Sequence, residues 1–128
     1  MKDESTVQQE IQIDGPHHGC QLMRNNSGAL TDANGRLVRY GLGNVSKQHN
    51  DRIKSSDLIG WTTITITPQM VGSKVAVFTA VEVKGSDWKG KNDKREIAQK
   101  TFLDWVRANG GIAGFANSLD TFRKILGR

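Results

Sequence analysis

A chain of 128 residues, 36% apolar with 14 glycines, is long enough for one buried core and apolar enough to fold, which excludes a disordered polypeptide. A single cysteine, Cys20, excludes an internal disulfide framework and a cysteine-based zinc site, no apolar run approaches the ~18 residues of a membrane span, and the polar start Met1-Lys2-Asp3-Glu4 leads us to expect no secretory signal. The formal charge of +5 falls entirely in residues 65–128, with 11 Lys and Arg against 6 Asp and Glu, whereas residues 1–64 carry 7 of each.

These features predict one soluble, cytoplasmic domain over residues 1–128 with no membrane association. The cations between Lys84 and Lys100 are either the footprint of a polyanion partner, usually nucleic acid, or a solvated face.

Residues 5–14 read as a short helix, with Ser5 as N-cap, Gln8 completing a capping box, Gly15 as stop and Val7 and Ile11 on one face. Cys20–Arg24 and Arg36–Tyr40 read as strands, and Asn34-Gly35 between them is a hairpin signal. Residues 41–56 are polar and without periodicity, as in a functional or mobile connection. Leu58–Thr67 and Lys74–Lys84 are dominated by β-branched residues and read as two strands, joined through Pro68 to Ser73 as an antiparallel hairpin. A helix starts at Asp93, with an Asp-x-x-Glu cap to Glu96, and ends at Asn109-Gly110-Gly111. Ile112–Ala116 reads as a strand and Ser118–Leu126 as a last helix. Strands mixed with helices in this order predict an α/β or α+β domain with its sheet covered by helices.

The chemistry concentrates at Val81-Glu82-Val83-Lys84. Strand residues two apart share a face, so Ala76, Phe78 and Ala80 lead on one face to Glu82 and Lys84. An apolar face that ends in an acid beside a base breaks the pattern, as functional sites do. If Thr67 pairs with Lys74, the hairpin register sets Asp57 opposite Lys84. Two carboxylates and an ammonium at one sheet end suit phosphodiester hydrolysis: hard oxygens hold Mg²⁺ or Mn²⁺, and a lysine serves the attacking water and the oxyanion.

Asp57 followed by Glu82-Val83-Lys84 resembles the PD-(D/E)xK nuclease superfamily. Within it the chain is similar to the VRR-NUC domain, the virus-type replication-repair nuclease, over residues 4–118. The similarity rests on Glu4-Ser5-Thr6-Val7-Gln8, on Arg24-Asn25-Asn26 with Gly28, on Ser56-Asp57-Leu58-Ile59-Gly60, and on Glu82-Val83-Lys84 followed by Gln99. The proline that precedes the acid in the superfamily pattern is replaced by Ser56.

This resemblance implies a restriction-endonuclease-like fold, a central mixed β-sheet flanked by α-helices. It implies a metal-dependent DNA endonuclease, structure-specific for branched DNA such as four-way (Holliday) junctions or flaps. Asp57, Glu82 and the main-chain carbonyl of Val83 would bind Mg²⁺ or Mn²⁺, Lys84 would serve the water and phosphate, and Gln99 would buttress the site. Stand-alone members of this kind look like phage proteins that act as homodimers, in the host cytoplasm.

The rival function is a non-catalytic nucleic-acid-binding module that retains the fold. Taken singly, Asp57 is also a turn cap, Glu82 and Lys84 an edge-strand solubility device, and Gln99 a polar residue at a helix boundary. Glu4 and Glu10 both compete as a further acid from the first helix. His17-His18 lacks ligands at metal spacing. Trp61 and Trp105 are predicted core residues, and Trp88 an exposed one that touches DNA or a partner.

Overall fold

The computed structural model describes residues 1–128, and the chain divides into two compact units, Met1–Ile64 and Thr65–Arg128. Both mix helices with strands, which gives the α/β class expected from the sequence.

The first unit begins with α1 (Glu4–Asp14). Its N-cap is Asp3 rather than Ser5: the extended Asp3 accepts a hydrogen bond from the Thr6 amide at 2.8 Å. An ionised Asp at this position both satisfies an orphan amide and opposes the helix dipole, so the helix starts one residue before Ser5. Gly15 does not stop the chain. It leads into a 3-10 turn, Gly15–His18, and the left-handed residue that ends it is Gly19. Val7 and Ile11 remain exposed, while Gln12 reaches β1 (Cys20–Arg24) with a 3.4 Å bond to the Leu22 carbonyl.

The Asn34-Gly35 signal marks a true hairpin, but its arms are β2 (Gly28–Thr31) and β3 (Leu37–Tyr40). Asp32 closes the turn by accepting from the amides of Asn34 and Arg36, and Gly35 takes φ 78°. The connection expected to be irregular contains a short helix, α2 (Lys47–Arg52), capped by Ser46.

Strand β1 pairs antiparallel with β4 (Leu58–Thr62), with Leu22 opposite Gly60. A Cβ on Gly60 would lie 1.8 Å from the Gln21 carbonyl oxygen, so the strand crosses its neighbour here only as glycine. Trp61 on β4 is buried.

The second unit is a β-α-β unit with a terminal helix: β5 (Thr79–Val83), α3 (Lys94–Ala108), β6 (Ile112–Ala116) and α4 (Leu119–Leu126). Strands β5 and β6 run parallel, with Glu82 opposite Phe115. Leu103 and Val106 on α3, one turn apart, are buried with Ala113 and Ala116 of β6. Small residues on β6 allow close approach: a Cβ on Gly114 would meet Ile125 of α4 at 3.0 Å. Helix α3 ends at Asn109 with Gly110 left-handed at φ 89°, and α4 opens with a capping box between Ser118 and Thr121.

The predicted hairpin between Leu58–Thr67 and Lys74–Lys84 does not form. Strand β4 stops at Thr62 and pairs with β1, and β5 starts only at Thr79 and pairs with β6. The register that set Asp57 opposite Lys84 is therefore absent. Propensity favoured extended chain on both sides of Pro68, but pairing is decided by burial. The parallel partner reached through α3 covers β5 with a helix, which a simple hairpin would not do. In all, the strands ladder in three pairs, two antiparallel and one parallel.

Candidate active site

Alternation along β5 places Glu82 and Lys84 on one face, and α3 presents Gln99 to that face. The Gln99 side-chain NH₂ donates to Glu82 Oε1 at 2.8 Å, and its Oε1 accepts from Lys84 Nζ at 2.8 Å. Lys84 Nζ lies 3.9 Å from the same Glu82 oxygen. The amide thus holds an acid and a base at fixed separation, and each charge selects one end of it. The three side chains are partly shielded: Lys84 exposes 19% of its side chain and Glu82 34%. A cleft of about 390 Å³ opens beside them, lined by Glu82, Arg95, Ala98, Gln99, Phe102 and Leu103. Arg95 is exposed and lines the same cleft as Glu82.

The Val83 carbonyl is also set by the ladder. Phe78 and Ala116 accept through their carbonyls from Ile112 and Lys84, so the even-numbered residues of β5 exchange bonds with β6. In a parallel ladder the intervening residues turn both backbone groups the other way, so the Val83 carbonyl points away from β6.

Behind Lys84 lies an aromatic pair that the sequence reading missed. Lys84 Nζ sits 5.6 Å from the Phe115 ring centroid, within cation–π range. Phe115 stacks on Trp88 with centroids 5.3 Å apart and an interplanar angle of 25°. Trp88 is half-buried rather than exposed, and its indole N–H donates to Glu96 Oε1 at 2.6 Å.

Glu96 exposes only 9% of its surface. Its other oxygen accepts from the backbone amides of Lys91, at 2.8 Å, and Asn92, at 2.6 Å. The Asn92 amide bond, opposed by burial and helped by Trp88, Lys91 and the nearby Lys84 charge, holds this carboxyl below the ordinary glutamate value. Half of the expected Asp-x-x-Glu box is present, because Asp93 caps the Glu96 amide at 2.9 Å. The Glu96 side chain instead fastens the loop before the helix, where Asn92 is left-handed at φ 56°. The only signal available in the sequence was Glu96 itself, and the cap pattern accounted for it.

Asp57 belongs to the first unit, where it is exposed at the bend that opens β4. Its carbonyl accepts from the Asn25 amide at 2.8 Å, and the Asn25 side chain donates to Ser55 Oγ and the Ser56 carbonyl, both at 2.8 Å. Asn25, part of the Arg24-Asn25-Asn26 motif, therefore sets the backbone that carries the acid. Glu4 and Glu10 both lie exposed on α1, and Glu10 pairs with Lys2 at 2.7 Å. Trp105, expected in the core, is 40% exposed on α3. No group of three or more His, Cys, Asp or Glu gathers as a metal cluster.

The VRR-NUC domain family model matches residues 2–120 of the chain. No curated protein and no solved structure matches it.

Proposed function

This chain belongs to the VRR-NUC family, nuclease domains of the PD-(D/E)xK type with a restriction-endonuclease-like fold, and on that premise we propose that it is a metal-dependent endonuclease for branched DNA. The observation that carries the proposal is the Glu82–Gln99–Lys84 arrangement, an acid and a base bridged by one amide at 2.8 Å on each side. The family match runs across both compact units, and we take them to work as one nuclease domain.

The donors fit a hard divalent cation. Glu82, whose Oε1 is occupied by Gln99, retains its second oxygen, and the Val83 carbonyl is turned out of the β5–β6 ladder. Asp57 would supply the second carboxylate, on the pattern of the family motif. Mg²⁺ or Mn²⁺, when bound, contributes charge to the phosphate and acidifies water. Lys84 orients the attacking water and offsets negative charge growing on the phosphate oxygens. Gln99 keeps Lys84 and Glu82 from collapsing into a closer ion pair. Arg95 at the cleft, with Lys89, Lys91 and Lys94 exposed nearby in the chain, binds the DNA backbone.

A branched DNA presents two backbones at a set separation, and a two-fold homodimer would meet both. The β2–β3 hairpin supports self-association, since Leu30 and Val38 are paired across it and both exposed. No helix is long and apolar enough to cross a membrane, and we place the enzyme in the cytoplasm with its DNA substrate.

The test is cleavage of labelled duplex, flap, splayed-arm and four-way-junction DNA with Mg²⁺ or Mn²⁺, alongside light scattering. Paired nicks in junctions and a mass near twice 14.1 kDa are expected. Tight DNA binding with no cleavage under any metal would leave a binding module in place of a nuclease.

A further inference from the structure

We propose that Glu96 is a positioning residue for Lys84, acting through Trp88 and Phe115; this rests on the nuclease reading of Lys84 given above. A glutamate that is 9% exposed, with both carboxylate oxygens hydrogen-bonded, needs a use. The hydrogen bonds that Glu82, Gln99 and Lys84 form with one another do not include it. Its carboxylate is instead a fork. One oxygen takes the Trp88 indole N–H, and the other takes two successive backbone amides. The fork therefore fixes both the course of the loop after Lys84 and the plane of the indole.

The indole plane matters because it backs Phe115. Trp88 stacks on that ring, and the Asn117 side chain adds a 3.4 Å bond to the Trp88 carbonyl. Phe115 lies opposite Glu82 in the parallel register and so shares the face that carries Glu82 and Lys84. The Lys84 ammonium lies over its ring, 5.6 Å from the centroid. Lys84 is thus held from two directions, by Gln99 through a hydrogen bond and by Phe115 through its π face. A four-carbon side chain with free rotamers would otherwise sweep through several positions.

Glu96→Gln is the sharpest variant, since it keeps the shape and removes one acceptor. The amide nitrogen it introduces must face either the indole N–H or the two backbone amides, and all of these are donors. Trp88→Phe is the second variant: it keeps a ring against Phe115 and deletes the N–H together with part of the stacked surface. Thermal unfolding checks that both fold.

Each should lower kcat by about tenfold, with KM and DNA affinity within twofold of the parent. The double variant should lose no more than either single one. On a Lys84→Ala background, Glu96→Gln should cost no further rate, because its effect passes through the lysine.

A spectroscopic readout is independent of cleavage. The Lys84 side-chain proton resonances should lie upfield under the Phe115 ring, and should return toward exposed-lysine positions in Glu96→Gln. An unmoved Lys84 resonance, or a full additional loss of rate on the Lys84→Ala background, would overturn the proposal. If the parent protein cleaves no DNA, the nuclease reading fails, and the Lys84 resonance still decides whether Glu96 positions it.

Discussion

Gln99 donates its side-chain amide to Glu82 across 2.8 Å, joining helix α3 to the end of β5 over a separation of 17 residues in the chain. The other end of the same amide accepts from Lys84, so reversing it would set nitrogen against ammonium and oxygen against carboxylate. One uncharged residue therefore orders both charged groups.

Gln99→Leu should lower the cleavage rate by roughly ten- to a hundredfold, the range for misplacing one acid–base or oxyanion group. Lys84→Ala should lose roughly 10²-fold or more while DNA and metal binding persist. Single-turnover rates set against DNA and Mn²⁺ affinities check both. A Gln99→Leu enzyme as fast as the parent would remove the amide from the working site.

Glu96 makes folding pH-dependent in a defined direction. Its carboxyl is depressed in the folded chain below the ordinary glutamate value of 4.5, chiefly by the Asn92 amide. The unfolded chain therefore takes up this proton first as acid is added. The stabilisation is fully present above the unfolded value and is lost as pH falls through the folded one. Urea unfolding from about pH 6 to about pH 3 should show the parent losing stability over the acid end more steeply than Glu96→Gln. Parallel curves would mean that the fork is not formed in solution.

Gly60→Ala tests the β1–β4 ladder. A Cβ 1.8 Å from the Gln21 carbonyl oxygen cannot be accommodated without moving backbone. A loss of about 2 kcal/mol or more is expected, at the upper end of overpacking costs, read from denaturant unfolding. An unchanged midpoint would place the strands further apart than described.

Local features carried the sequence reading furthest. Glu82 and Lys84 share a face because strand side chains alternate, and Gln99 meets them from the helix that follows. Helices α3 and α4, strand β6 and the stop at Asn109-Gly110 likewise follow from capping and periodicity. Strand partners did not. β-branched runs on either side of Pro68 say that the chain is extended, not what it pairs with, and the ladders chose β1 and β6. The Asn34-Gly35 turn was legible, whereas the short arm Gly28–Thr31 that it serves was not, since four residues give little pattern. Glu96 and Trp88 show the same limit: a cap motif accounts for the acid, and Trp88, expected to be exposed, is half-buried against Phe115. Their meeting depends on a loop that turns back on α3 through the left-handed Asn92.

Asp57 and Glu82 are the carboxylates proposed to hold the ion that cleavage requires. Titration calorimetry with Mn²⁺ on the parent, Asp57→Ala and Glu82→Ala, with cleavage assayed on the same samples, tests this assignment most directly. Asp57 is exposed and Glu82 is partly so, so both variants should melt near the parent temperature. Each should lose Mn²⁺ affinity and all cleavage. Parent-like Mn²⁺ affinity in both variants would contradict the assignment.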